Sequence, residues 1–169
     1  MKVLVTGTAG FIGSHVALKL LERGDKVIGF DSLNDYYDVG LKKARLARFM
    51  DHPNYTHVHG DLVDRALVES TFGTHKPQRV INLAAQAGVR YAAENPYIYV
   101  ASNVTGFLHI LEGCRHYGVE HLVFASTSSV YGANRKMPFS EHQGTEHPLT
   151  LYAATKKANE QMAHSYGHL

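Results

Sequence analysis

Cysteine is almost missing from this chain. Cys114 stands alone among 169 residues, so no internal disulfide framework is possible. Neither sign of charge prevails. Lys and Arg number 17 against 15 Asp and Glu, a formal net charge of +2, which argues against a nucleic-acid or membrane-surface partner. No apolar run approaches the roughly 20 residues that a membrane-spanning helix needs. The stretch from Met1 to Gly7 breaks into glycine too soon to supply a secretory h-region. These absences predict a cytoplasmic, reduced protein. Repeats and low-complexity segments are lacking too. What is present is a globular balance, 44% hydrophobic and 19% charged, in a chain long enough for one sizeable core.

The pattern of apolar residues alternates strand and helix. Lys2–Thr6, Lys26–Phe30, Tyr55–His59, Arg79–Ala84 and His121–Ala125 read as short strands. Phe11–Arg23 has apolar residues at helical spacing, and Gly24 stands where a helix C-terminus favours glycine. Leu41–Met50, Leu62–Phe72 (with Gly73 after it), Pro96–Tyr117 and Leu149 to about Gly167 read as further helices. Alternation of this kind implies parallel pairing through right-handed crossovers. The expected fold is α/β, a doubly wound parallel sheet of order 3-2-1-4-5. Tyr131–Pro148 is the longest irregular stretch, and loops of that length usually serve function.

The first strand runs into Gly7-Thr8-Ala9-Gly10-Phe11-Ile12-Gly13, a G-x-x-G-x-x-G pattern. Gly7 permits the tight turn, Gly10 admits a pyrophosphate to the backbone, and Gly13 lets helix pack on strand. The helix start then offers free N–H groups to phosphates. Asp31 ends the second strand, where a carboxylate accepts from ribose hydroxyls and repels a 2′-phosphate, which favours NAD over NADP. Asp61 follows the third strand and has two readings, a partner for the adenine amino group or the N-cap of the next helix. Tyr152 and Lys156, four apart on a helix, share a face. An ammonium beside a phenol favours the phenolate, and such a pair can exchange a proton with a substrate hydroxyl. Ser126 to Gly132 sets hydroxyls at the carboxyl end of the fifth strand, where open α/β sheets bind ligands.

Other features have plainer readings. His57 and His59 share a strand face, and His164 and His168 are spaced i, i+4. Either pair without a further Cys or carboxylate set is thin for a metal site, so no metal is expected. Cys114 reads as a packing residue. Lys42, Lys43, Arg45 and Arg48 read as a solvated helix face, with phosphate contact as the alternative.

With these motifs in view, the chain resembles the extended short-chain dehydrogenase/reductase family, which has a Rossmann fold. Within it the likeness is to NAD-dependent nucleotide-sugar 4-epimerases acting on UDP-glucuronate. The likeness runs along the whole chain. It is carried by Thr6 to Gly13, Asp31, Asp61-Leu62, Asn82 to Arg90, Asn103, Ser126 to Gly132, and Tyr152 with Lys156. Asn34-Asp35-Tyr36-Tyr37-Asp38 and Leu41 to Arg45 carry the subfamily likeness.

The resemblance implies roles residue by residue. Tyr152 would be the catalytic base and acid, Lys156 its modulator and a donor to the cofactor ribose, and Thr127 the hydroxyl partner of the sugar 4-OH, with Ser128 close by. Gly7, Ala9, Gly10, Phe11, Ile12, Gly13, Asp31, Asp61 and Leu62 would bind the cofactor. Ala84, Ala85 and Gln86 would run beside its pyrophosphate. Arg90 would meet charged groups of the substrate, and Asn103 would be structural. The implied reaction oxidises the sugar transiently at C4 and returns the hydride to its other face.

Sister dehydratases place an Asp-Glu pair directly after the active-site Thr, where this chain has Ser128 and Ser129. Decarboxylases place Glu at the position of Ser129. Galactose-type epimerases stay open, as does a non-catalytic NAD-binding module. The family's chain is about twice this length. Residues 1–169 would then be an incomplete cofactor-binding domain, ending after the active-site helix, with the C-terminal substrate domain absent and activity of these residues alone in question. The resemblance also implies a UDP-sugar as substrate and a homodimer through the long helices.

Overall fold

The computed structural model describes residues 1–169. Two compact units emerge, one of residues 1–84 with 109–125 and one of residues 85–108 with 126–169.

The first unit holds the whole sheet. Strands β1 (Lys2–Thr6), β2 (Lys26–Asp31), β3 (Tyr55–His59), β4 (Arg79–Asn82) and β5 (His121–Phe124) lie in the order β3-β2-β1-β4-β5. All four pairings are parallel, with Val3 opposite Val27 and Arg79. This is the expected doubly wound topology. The two-residue period of a strand sorts its side chains between two cores. Val3, Val5 and Val27 pack with Ala17, Leu20, Leu21, Leu46, Phe49 and Tyr55. Leu4, Ile28, Phe30 and Val80 pack with Leu62, Val68, Phe72 and Ile110 on the other face. Helices α1 (Phe11–Glu22) and α2 (Val39–Ala47) line the first core, and α3 (Arg65–His75) lines the second together with the adjoining turn of Leu62 and with Ile110 from the helix that precedes β5. Gly24, just past the Arg23 cap, has φ +88° and stops α1 as expected.

Several boundaries differ from the sequence reading, each for a local reason. Helix α3 starts at Arg65 and not Leu62, because the Asp64 carboxylate accepts from Leu67 N at 3.0 Å and is its N-cap. Asp61 is therefore not the cap; its Oδ1 accepts from Val63 N in a tight turn. The same helix continues through Gly73 to His75 and ends at Lys76, in the left-handed region at φ +47°. Pro77 follows and cannot extend it. Asp38 caps α2, which starts two residues early and stops at Ala47. Strands β4 and β5 each stop short, at Asn82 and Phe124.

The second unit is helical. It contains α4 (Tyr91–Glu94), which the sequence reading missed, then α5 (Pro96–Tyr99), a π-wound stretch over Val100–Thr105, and the start of α6 (Gly106–His116). The expected long helix from Pro96 is thus continuous but not uniformly α. A 3-10 turn covers Ser128–Tyr131, and α7 covers Leu151–Tyr166. Helix α7 begins at Leu151, two residues later than the pattern suggested, because Thr150 Oγ1 accepts from Ala153 N and caps it. No helix is long and apolar enough to cross a membrane.

Candidate functional site

The residues singled out in the sequence divide between the two units. In the first, Gly7 follows β1 with φ +75°, and a Cβ there would come within 2.9 Å of Ala84 N. A Cβ on Gly13 would strike the Gly7 carbonyl. Helix and strand meet here at a separation only glycine permits. Gly10 is the N-cap of α1 and brings no side-chain cap, so the first-turn N–H groups of Phe11, Ile12 and Gly13 have no capping acceptor. Phe11 and Ile12 are exposed and Ala9 is buried. The result is a cradle of backbone donors at the positive end of a helix, suited to an anion.

Asp31 braces this cradle. Its Oδ2 accepts from Ala9 N at 2.9 Å and its Oδ1 from Leu33 N at 2.9 Å. Each oxygen keeps a further lone pair for a ligand hydroxyl. Three more braces went unread in the sequence. Thr6 Oγ1 donates to Asn82 Oδ1 at 2.7 Å and accepts from Leu83 N and Ala84 N, which pins the segment after β4. The Arg45 guanidinium reaches Ala9 O at 3.5 Å and lies 6.0 Å from the Phe11 ring centroid. Tyr55 OH donates to Thr8 Oγ1 at 3.4 Å and meets His57 Nδ1 at 3.2 Å; burial pushes its phenol up to about 12. Apart from the Tyr55–His57 contact, these links span 36 to 78 positions and leave no local pattern. The basic face of α2 also needs correction. Lys42 is buried, and its Nζ donates to Asn34 O at 2.7 Å and to Asn34 Oδ1 at 2.8 Å, tying down the loop before the helix.

Asp61 is exposed, while Leu62 is buried and its carbonyl meets His109 Nδ1 at 2.7 Å. Cys114 packs against the second core, and burial pushes its thiol up to about 12, so it behaves as a packing residue. His57 and His59 lie with ring centroids 6.5 Å apart, and desolvation lowers the His57 pKa.

In the second unit, Asn103 organises the site. Its side chain grips the Gln86 backbone from both sides, Oδ1 accepting from Gln86 N at 2.8 Å and Nδ2 donating to Gln86 O at 3.0 Å. The same Nδ2 reaches Thr155 Oγ1, and Asn103 O accepts from Asn159 Nδ2 at 2.6 Å. Asn103 lies within the π-wound stretch, a winding that often marks function. The Gln86 side chain is buried, yet its Nε2 has no partner, a donor left for a ligand. Ala85 beside it is exposed, as is Arg90.

Tyr152 and Lys156 sit on the first two turns of α7. The Tyr152 ring stands edge-on to Tyr99 at 6.2 Å, and Tyr99 OH donates to Ala87 O and Gly88 O. Lys156 is only 3% exposed, and burial pushes its ammonium down to about 8, against the opposing pull of Glu160. Thr127 Oγ1 accepts from Ser129 N at 3.2 Å and caps the 3-10 turn. Ser128 is exposed. The loop from Gly132 to Pro148 has its own order: Tyr131 and Phe139 stack at 4.4 Å, and Gly132, at φ +57°, lets the chain pass against the His147 carbonyl.

Comparison with known proteins agrees with this architecture. The model of the family described as GDP-mannose 4,6 dehydratase matches residues 4–169. The chain belongs to that family. It is 52% identical over 168 residues to UDP-glucuronate 4-epimerase 3 of Arabidopsis thaliana, covering 99% of this chain and 39% of that protein. It is 50% identical over 169 residues to a protein of Rhizobium meliloti (strain 1021) named Probable UDP-glucuronate 4-epimerase, covering all of this chain and 50% of the relative. Among solved structures, UDP-glucose 4-epimerase of Thermus thermophilus in complex with NAD superposes with a TM-score of 0.86 at 38% identity, over 99% of this chain and 51% of that one. The chain thus spans about half the length of relatives it matches, and the family is enzymatic.

Proposed function

We propose that a protein carrying this sequence is an NAD-dependent nucleotide-sugar 4-epimerase that interconverts UDP-glucuronate and UDP-galacturonate. The observation that carries the chemistry is Tyr152 one helical turn before Lys156, whose ammonium is buried and pushed down to about 8. The relatives supply the substrate class, and the Arabidopsis protein bears the name of the specific reaction.

The residues present fit the cofactor. The uncapped N–H groups of Phe11, Ile12 and Gly13 would hold its pyrophosphate, with Gly7, Ala9 and Gly10 giving close backbone approach. Asp31 would accept from the adenosine ribose, Asp61 and Leu62 would meet the adenine, and Ala84, Ala85 and Gln86 would flank the phosphates, Gln86 with its spare Nε2 donor. NAD when bound supplies a hydride acceptor and donor. Tyr152 would take the proton from the sugar 4-hydroxyl and give it back, while the Lys156 ammonium favours the phenolate and donates to the nicotinamide ribose. Thr127 and Ser128 would hydrogen-bond the sugar oxygen, and Arg90 would face the substrate's charged groups. Ser128 and Ser129 follow Thr127 where an elimination would need acids, which favours epimerisation over dehydration.

On this reading residues 1–169 are the cofactor-binding part, and a further segment of the kind that doubles the relatives' length supplies most of the nucleotide-sugar pocket. A homodimer would use the long helices, where Tyr97 (84% exposed), Val100 and Leu108 stand in solvent. The test is conversion of UDP-glucuronate followed by chromatography, in the full-length protein and in residues 1–169. Tyr152→Phe is expected to cut turnover at least about a hundredfold with NAD still bound. Near-normal turnover in that variant refutes the assignment. Turnover by residues 1–169 alone refutes the need for a further segment.

A further inference from the structure

We propose that Glu160 is a positioning residue for the Tyr152–Lys156 pair: its carboxylate joins the hydroxyl segment at Ser126 and the Lys157–Thr145 contact to helix α7, and holds a fixed negative charge one turn beyond Lys156. The role rests on the epimerase reading for its catalytic meaning, while the structural claim stands without it.

The geometry is specific. Glu160 Oε1 accepts from Ser126 Oγ at 2.5 Å, and Oε2 accepts from Lys157 Nζ at 3.0 Å. Lys157 Nζ also donates to Thr145 Oγ1 at 2.5 Å. The carboxylate therefore ties the residue preceding Thr127 to the helix carrying Tyr152 and, through Lys157, to the long loop. An i,i+3 pair on a solvated helix would be worth little. Here neither partner is more than 30% exposed at its side chain, and the tie to Ser126 crosses 34 positions.

The charge has a second consequence. Burial strips water from the Lys156 ammonium and favours its neutral form. Neutral lysine would no longer favour a phenolate at Tyr152. Glu160, at i+4, pulls the other way. The elements packed on α7 are α4, α5, the π-wound stretch and the 3-10 turn. Their ionisable groups are Tyr91 and Glu94 on α4, with Arg90 just before it, Tyr97 and Tyr99 on α5, none on Val100–Thr105, and Tyr131 on the 3-10 turn. On α7 itself Tyr152 and Lys157 lie nearby. Glu160 is the one charge among them that shifts Lys156 appreciably.

The experiment follows the Lys156 side chain of residues 1–169 by NMR as pH is raised, assigned by its loss in Lys156→Arg. Glu160→Gln is expected to move the midpoint down from about 8, by about half a unit or more. Glu160→Asp keeps the charge and should leave it near the wild-type value. Lys157→Met, which removes the cation paired with the carboxylate, should leave it unchanged or raise it. Ser126→Ala keeps the charge but cuts the tie, and should speed amide exchange at residues 126–131 with the midpoint unmoved. A folded Glu160→Gln protein whose Lys156 midpoint does not move overturns the proposal. If that variant does not fold, a Lys157→Met midpoint that falls, or unchanged exchange in Ser126→Ala, overturns it instead. In the full-length protein with NAD and UDP-glucuronate, Glu160→Gln should shift the kcat pH profile by the same amount as the midpoint. A midpoint that moves in a protein without epimerase activity refutes the proposed function and leaves the Glu160 assignment intact.

Discussion

The sheet unit and the helical unit hold their candidate site residues by opposite means. Around Gly7–Gly13 the backbone itself is the device: glycines allow contacts that a Cβ would forbid, and side chains such as Asp31 and Thr6 brace the main chain from behind. Around Tyr152 the backbone is an ordinary helix, and the arrangement depends on side-chain amides, chiefly Asn103 with Gln86, Thr155 and Asn159. A backbone device is robust to most single substitutions and intolerant at a few glycines. A side-chain network is vulnerable at its hub.

The contrast can be broken from either side. The largest effect belongs to the apolar core of the sheet unit. Phe72 is fully buried, with Gly113 directly against its ring. Phe72→Ala should cost about 3–5 kcal/mol in urea unfolding. A cost under about 1 kcal/mol would mean the sheet does not rely on that core.

Next is Lys156, whose folded-state pKa of about 8 lies below its unfolded value near 10.5. Between those values the unfolded chain binds more protons, so this residue's contribution to stability rises as pH rises from 8 to 10.5. Relative to Lys156→Met, the native chain should gain about 3 kcal/mol of stability as pH rises from 8 to 10.5. A pH-independent difference between the two would remove the buried-ammonium picture.

Asn103→Ala should cost about 2 kcal/mol, because it leaves the buried Gln86 backbone groups unpaired. Its signature is faster amide exchange at residues 86–88 and 151–159, with β1 still protected. Uniform loosening of both units would show that the amide hub is not local. The smallest effect is expected at Asp31→Asn, which loses one of two backbone donors and costs about 1 kcal/mol. The same variant should narrow a preference for NAD over NADP in calorimetric titration. Equal binding of both cofactors by the unaltered chain would deny Asp31 its discriminating role.

The same contrast explains what could be read from the residues alone. The strand order and the glycine loop were legible because both are written locally, in period-2 runs and in a seven-residue spacing. The placement of Tyr152 and Lys156 on one helix was legible for the same reason, four positions apart. The Thr6, Arg45 and Tyr55 braces were not, because their partners lie 36 to 78 positions away and either end alone is ordinary as sequence. Lys42 misled for a related reason: a basic run looks solvated until a loop carbonyl such as that of Asn34 is found beneath it. Helix ends went wrong where a better capping residue, Asp64 or Thr150, stood a few positions from the first apolar one.

The π-wound stretch at Val100–Thr105 amounts to an extra residue absorbed within a helical run. In a plain α-helix each residue advances the azimuth by about 100°. Absorbing the extra residue in the π winding spares the flanking turns that rotation, so deleting one residue there would let the run rewind as α with its two ends nearly in register. The Tyr99 hydroxyl would keep the carbonyls of Ala87 and Gly88 and its ring would stay beside Tyr152, while the residues inside the winding, Asn103 among them, would be the ones displaced. A length change of one residue is therefore milder here than in the plain α turns on either side, and sequences related by a single gap at this point can keep their aromatic residues on the same face.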